Sequence, residues 1–308
     1  MPPPLVSVLV NNFNYGRFLG RALDSALEQD GPSAEIIVVD DGSQDDSRDV
    51  IAGYGDAVRA IFQPNQGQAA AMNAAIKASR GAVLCFLDSD DWWHPGKLDA
   101  VMRAFDASPA AGLVYHRLQP VRTGSTVIDR PIPRTLCQGD LAPRMLRSAG
   151  VWPFPMTSAI AVRRAAMQQV GPIPEGFRIS ADAWLVGAIP LLWWVCALPQ
   201  VLGSYRIHQN TWHRAQDDDA MLRRRMAHWA LTVSQLNAFL ATRATDRRLD
   251  LRDHFPHRVA AARLRPPDLR GRVGLFLSGL RFGGEPHPLR RGRDALRVLR
   301  RHGTGAAP

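Results

Sequence analysis

Val83-Leu84-Cys85-Phe86-Leu87-Asp88-Ser89-Asp90-Asp91 decides how the rest of this 308-residue chain is read. Five apolar residues in a row are the pattern of a strand buried on both faces, as inside a parallel sheet. The run ends in three carboxylates within four positions. In open α/β sheets ligands sit outside the carboxyl ends of strands, so this acidic cluster lies where chemistry is expected. Carboxylates this crowded require a counter-cation, and oxygen ligands suit Mg2+ or Mn2+ held jointly with substrate phosphates. The plainer alternative is an aspartate capping the helix that opens near Pro95, and the tripeptide alone does not choose between them.

Outward from that stretch, the chain alternates strands with helices. Leu5 to Val10 reads as a strand and Phe18 to Leu27 as a helix with one apolar face. Ile36 to Val39 is a second buried strand, ending in Asp40-Asp41-Gly42-Ser43, and Ser43-x-x-Asp46 has the form of a capping box for the next helix. Val58 to Phe62, Ala82 to Leu87 and Gly112 to His116 read as strands, and Gly67 to Ser79 and Pro95 to Phe105 as helices. This rhythm implies βαβ units and an α/β fold with a mixed, mostly parallel sheet flanked by helices. The acidic pairs Asp40/Asp41 and Asp88/Asp90 then emerge on one edge of the sheet, one suited to a base or ribose and the other to a metal and diphosphate. No Gly-x-Gly-x-x-Gly or Gly-Lys-Ser/Thr loop follows any of these strands, which disfavours dehydrogenases and ordinary nucleoside triphosphatases.

From 117 to 178 prolines multiply, and an irregular wall over the sheet edge is expected. Ala183 to Pro199 holds 17 residues without a charge, but Pro190 interrupts them, so a buried helix to Leu192 followed by a strand from Trp193 to Leu198 is expected rather than a membrane span. The net charge of +10 is unevenly placed: residues 214–308 carry 20 arginines against 9 carboxylates, which leaves the first 213 residues at −1. A solvated helical face explains such a tail most simply. Its functional reading is peripheral contact with an anionic membrane. Nucleic acid is disfavoured because the arginines are not interleaved with stacking aromatics. Cys85, Cys137 and Cys196 lack metal spacing and read as free thiols in a reducing compartment. Met1-Pro2-Pro3-Pro4 lacks the basic region of a secretory leader, so a cytoplasmic location is expected, with possible attachment at the inner face of the membrane.

Six segments, taken in order, resemble glycosyltransferase family 2, the GT-A-fold transferases of nucleotide-diphosphate sugars. They are Val6–Tyr15, Ile36–Ser43, Asn65–Asn73, Cys85–Asp91, Ser180–Trp184 and Tyr205–Asn210. The resemblance spans residues 5 to 213. It implies a transferase domain over 1–213, with a nucleotide-sugar half at 1–116 and an acceptor half at 117–213, followed by a basic helical extension over 214–308. Carried across, it implies donor contacts at Asn11, Asp40, Asp41, Gln68 and Asp88, with Arg206 aiding the leaving group. Asp90 would hold the Mg2+ or Mn2+ cofactor. His208, where the family approaches the diphosphate, would be its second ligand. Asp182 matches the catalytic base, although Ala181 stands where many members carry glutamate. The implied reaction is an inverting, non-processive transfer of one sugar, expected from a UDP-sugar. The acceptor is a hydroxyl of a saccharide or lipid-linked precursor of the cell envelope or of an exported polysaccharide. The Gln-x-x-Arg-Trp signature of processive relatives is absent. Two rival readings stay open: a nucleotide-sugar-binding protein without turnover, and another metal-dependent enzyme acting on nucleotide sugars.

Overall fold

The computed structural model describes residues 5–122, 126–208, 218–243 and 245–299. Gln209 and Asn210 of the last motif lie outside the described residues. In chain order the elements are β1 (Val6–Asn12), α1 (Gly16–Leu27), β2 (Ala34–Asp40), α2 (Ser47–Ala52), β3 (Arg59–Phe62), α3 (Gln68–Ala78), β4 (Val83–Asp88), β5 (Trp92–Trp93) and α4 (Lys97–Ala107). There follow β6 (Ala111–Arg122), α5 (Ala142–Leu146), β7 (Ile160–Arg163), α6 (Arg164–Val170), α7 (Asp182–Ala188) and β8 (Trp194–Ile207). The last four are α8 (Asp219–Ala241), α9 (Phe255–Leu264), α10 (Leu269–Arg281) and α11 (Pro288–Leu299).

The strands form one mixed sheet in the order β3-β2-β1-β4-β7-β6-β8-β5. β1 lies between β2 and β4, parallel to both, in a register that sets Asn12 beside Asp40 and Asn11 beside Asp88. Both acidic strand ends therefore reach the same edge. Val83 to Leu87 are buried without exception, as a strand covered on both faces must be. α1 and α4 cover one face through Leu19, Leu23, Val101 and Phe105, which join Val8, Val38 and Cys85 in the core. All three cysteines are free.

Three expectations need correction. Residues 117–178 are not irregular throughout: β6 runs on to Arg122, and β7 enters the sheet antiparallel between β4 and β6. Its four residues are too few to show a period, and the prolines around it hide it. The strand expected at Trp193–Leu198 extends to Ile207, because β6 offers a long parallel edge that it follows through three register shifts. The strand expected at Val58–Phe62 is present as β3, Arg59–Phe62, at the edge of the sheet, with Arg59, Ala60 and Phe62 exposed. Asp46 makes no capping bond to α2. Asp45 instead accepts from the Ser47 and Gly16 amides, and Ser43 Oγ accepts from the Asn14 amide and Asn12 Nδ2, joining the ends of β1 and β2.

The chain divides into two compact units, Met1–Leu141 with Phe154–Arg214, and Ala142–Pro153 with Ala215–Pro308. The first contains the whole sheet. The second is helical and takes in 142–153, a segment that the sequence places with the first. No helix among the described residues is long and apolar enough to cross a membrane.

Gly67, at φ +95°, brings the start of α3 against the 178 loop: a Cβ there would lie 2.8 Å from Arg178 Cα. Gly139 has φ +84° with nothing within 4 Å. Gly67→Ala should therefore cost more than Gly139→Ala, which bears only the torsional strain of roughly 1 kcal/mol. Urea midpoints of the two variants measure the difference.

Candidate active site

A cavity of about 460 Å³ opens at the carboxyl ends of β1, β2 and β4. Its walls come from the β1–α1 loop, the start of α3, the loop after β4, residues 156–157, the 178–182 loop and the end of β8. Asp88, Asp90 and Asp182 all face it.

Asp88 is the centre of its polar network. Its Oδ1 accepts from Asn11 Nδ2 at 3.2 Å and Gln68 Nε2 at 3.3 Å, and Thr157 adds a third hydrogen bond. Burial, reinforced by the negative charges of Asp90 and Asp182, pushes its pKa up to about 7. Thr157 also bonds Asp182, whose carboxyl burial raises to about 6. Gln68 bridges the two halves of the site: while Nε2 reaches Asp88, Oε1 accepts from the Ala181 amide at 3.0 Å. The Gln68 and Ala69 amides donate to the carbonyls of Arg178 and Phe177, so α3 fixes the loop that carries Asp182. Ser180 on that loop adopts φ +51°, left-handed backbone for a residue with a Cβ. Ala181 is fully buried.

Asp90 Oδ2 lies 2.8 Å from His208 Nε2. The His208 ring in turn rests among Tyr15 and Phe18, with centroids 5.4 and 5.8 Å away. Asp88 and Asp90 both line the cavity, and carboxylate oxygens are the donors that suit Mg2+ or Mn2+. Among the described residues no group of three or more such side chains encloses a metal by itself. Asp41 is buried: one oxygen accepts from Gln63 Nε2 at 2.7 Å and the Gln66 amide at 3.0 Å, and the other from the Gly67 amide at 2.7 Å. These bonds shape the 63–67 loop that forms one cavity wall.

Residues 7–171 match the family described as Glycosyl transferase family 2. The chain belongs to that family. An uncharacterized glycosyltransferase of Nostoc sp. is 36% identical over 265 residues, 82% of this chain and 81% of the relative. Among solved structures, TarS 1-349 of S. aureus in complex with UDP-GlcNAc gives a TM-score of 0.56 at 17% identity, covering 90% of this chain and 80% of that one. The mannosyltransferase PcManGT from Pyrobaculum calidifontis, in complex with GDP-Man and Mn2+, also gives 0.56, at 18% identity, covering 96% and 85%. These two likenesses are of fold, and the fold is that of GT-A glycosyltransferases.

In this family 2 glycosyltransferase, seven of the nine residues singled out from the sequence line the cavity: Asn11, Asp41, Gln68, Asp88, Asp90, Asp182 and His208. Asp40 and Arg206 stand behind it. Asp40 has no exposed surface and spends both oxygens internally, on the Ser43 amide at 3.0 Å and Asn12 Nδ2 at 2.9 Å. The Arg206 guanidinium lies over the rings of Phe18 and Trp92, and its Nε donates to the Asp90 carbonyl at 2.8 Å. It props the acidic loop from the rear and is not among the residues that line the cavity.

Sequence reasoning missed the residues that hold this loop in place. Asp91 is buried and accepts from Ser158 Oγ at 2.6 Å and the Arg206 amide at 2.8 Å. Ser158 Oγ also accepts from the Asp88 amide, and its carbonyl accepts from Trp93 Nε1. Trp92 and Trp93 are buried as β5 against β8, with Lys97 Nζ 3.5 Å from the Trp93 ring centroid. The only local signal for Thr157 and Ser158 is a pair of hydroxyls ahead of the apolar run 159–162.

The folded-state pKa of Asp88 lies above its ordinary 3.8, so the folded protein holds a proton that the unfolded chain releases as pH rises from about 4 to about 7. Stability therefore falls across that window, and the full cost is present above it. Asp88→Asn should raise the Tm of the ligand-free protein at pH 8 by at least roughly 2–4 °C, the effect of about 1 kcal/mol in a domain of this size. The gain should vanish near pH 4, and thermal melts at the two pH values check it.

Proposed function

We propose that this chain is an inverting, metal-dependent glycosyltransferase that moves one sugar from a nucleotide-diphosphate sugar to an acceptor hydroxyl. The observation that carries the reading is the meeting of Asp88, Asp90, Asp182 and His208 in one cavity at the carboxyl edge of a GT-A sheet. Asn11 and the loop ordered by Asp41 bind the nucleoside, and Gln68 keeps the donor and acceptor sides in register. Asp90 and His208, with Asp88 beside them, would hold Mg2+ or Mn2+. When bound, the cation neutralises charge on the departing diphosphate. UDP-sugars are the donor class the family resemblance puts first. A hydroxyl on a saccharide or lipid-linked envelope precursor is the acceptor we infer.

The chain's own part in the chemistry is proton transfer and positioning. Asp182 takes the acceptor hydroxyl's proton as its oxygen attacks the anomeric carbon, and one such displacement inverts that centre. A base must be ionised, and burial has moved Asp182 to about 6, so it is both available and a better proton acceptor than an ordinary aspartate at neutral pH. Thr157 and the Gln68–Ala181 bond hold its loop during the attack.

The test is a panel of UDP- and GDP-sugars with and without Mn2+, read by thermal shift and by nucleotide release with acceptor sugars. Asp90→Ala should abolish the metal-dependent shift. Asp182→Asn should keep the shift and lose turnover by roughly 10²–10⁴-fold. Wild-type turnover should fall as pH drops below about 6, where Asp182 is protonated. A donor-induced shift with no turnover on any acceptor would favour the binding-protein alternative; no shift with any nucleotide would sink the donor-site reading.

A further inference from the structure

The second unit carries an exposed apolar row outside the residues that line the candidate cavity. α10 buries Leu275 and Gly279 and leaves Leu269, Val273, Leu277 and Leu280 exposed. Steps of four, four and three residues put these four on one helical face. Their outward direction is set by close packing on the other side: a Cβ at Gly279 would lie 2.7 Å from the Phe255 ring and 2.8 Å from Ala295 Cβ. α9, α10 and α11 thus close on one another through Phe255, Gly279 and Ala295. α11 behaves alike, with Ala295 fully buried and Leu289 and Leu296 exposed at 79% and 53%.

Isolated exposed leucines are ordinary, but a row of them along one helix is not. Charge indicates what the row meets. Residues 269–299 contain seven arginines against two carboxylates, Glu285 and Asp294. Arg270 and Arg281 are exposed beside the α10 row, and Arg293 and Arg297 beside Leu289 and Leu296. A second copy of this chain would bring another strongly basic tail against the first. Nucleic acid would find phosphate contacts, but leucine and valine offer no face on which bases stack.

We propose that this surface docks on an anionic lipid bilayer. The leucine row enters the boundary between headgroups and acyl chains, and the flanking arginines lay their stems along it while their guanidinium groups meet lipid phosphates. Arginines alone would give a salt-sensitive, diffuse attraction. The apolar row makes the contact oriented.

Flotation of the full chain with vesicles of phosphatidylcholine, with and without a third of phosphatidylglycerol, tests the proposal. Protein should float with the anionic vesicles and stay behind with the neutral ones. Arg270→Gln with Arg281→Gln should weaken partitioning by roughly 30-fold. Val273→Asp with Leu277→Asp should abolish it, and neither pair should alter the circular dichroism melt, because all four side chains are exposed. Three outcomes would overturn the idea: no flotation with either vesicle, flotation indifferent to both pairs, or a concentration-dependent dimer that Val273→Asp with Leu277→Asp dissolves.

Discussion

Like charges held close together in a partly dehydrated cavity repel, and the architecture around the end of β4 is organised about that repulsion. Asp88, Asp90, Asp91 and Asp182 converge there, and burial together with the mutual field lifts Asp88 and Asp91 above the usual carboxylate range. The neighbours supply hydrogen-bond donors in compensation. Asn11, Gln68 and Thr157 surround Asp88; Ser158 and the Arg206 amide hold Asp91. A hydrogen bond to a charged group contributes about 1.5–3 kcal/mol, so a handful of these offsets much of the cost of the cluster. The remaining imbalance is what a bound cation would relieve.

The aspartates differ in how far their oxygens are committed to the protein. Asp40 and Asp91 are enclosed, and each spends both oxygens on the chain itself. Asp40 ties Ser43 and Asn12 across the ends of β2 and β1, and Asp91 ties the 157–159 turn to β8. They build the edge of the sheet. Asp88, Asp90 and Asp182 keep a face towards the cavity. Asp41 lies between these cases, bound to the 63–67 loop while lining the cavity that the loop encloses. Arg206 shows the same division among cations: its guanidinium on Phe18 and Trp92 braces the acidic loop from behind.

The helical unit departs from the rest of the chain in both charge and surface. Its basicity comes from arginine alone, and its last two described helices turn leucines outward while glycine and alanine fill their inner contact. A row of large apolar residues on the outer face departs from the polar outer face usual for a surface helix. The same packing that brings α10 and α11 together creates the exposed row.

The sequence by itself determined the elements whose signal is local. Val83 to Leu87 is too uniformly apolar to be anything but a doubly covered strand. The alternation of strands and helices from Val6 to His116 specified an α/β fold with a mixed, mostly parallel sheet. The acidic strand ends had to share an edge once the strands that carry them were parallel. Six ordered motifs carried the family. Only the tertiary structure decided what depends on residues far apart in the chain. β7 is four residues long and becomes a strand by fitting between β4 and β6. Ser158 acquires its role because that insertion brings it against Asp88 and Asp91, 70 and 67 positions earlier in the chain. The sequence offers Asp40, Asp41, Asp90 and Asp91 as chemically equal carboxylates. Which of them is consumed by the fold and which faces the cavity is settled by the donors that packing brings within 3 Å, and no local pattern encodes that.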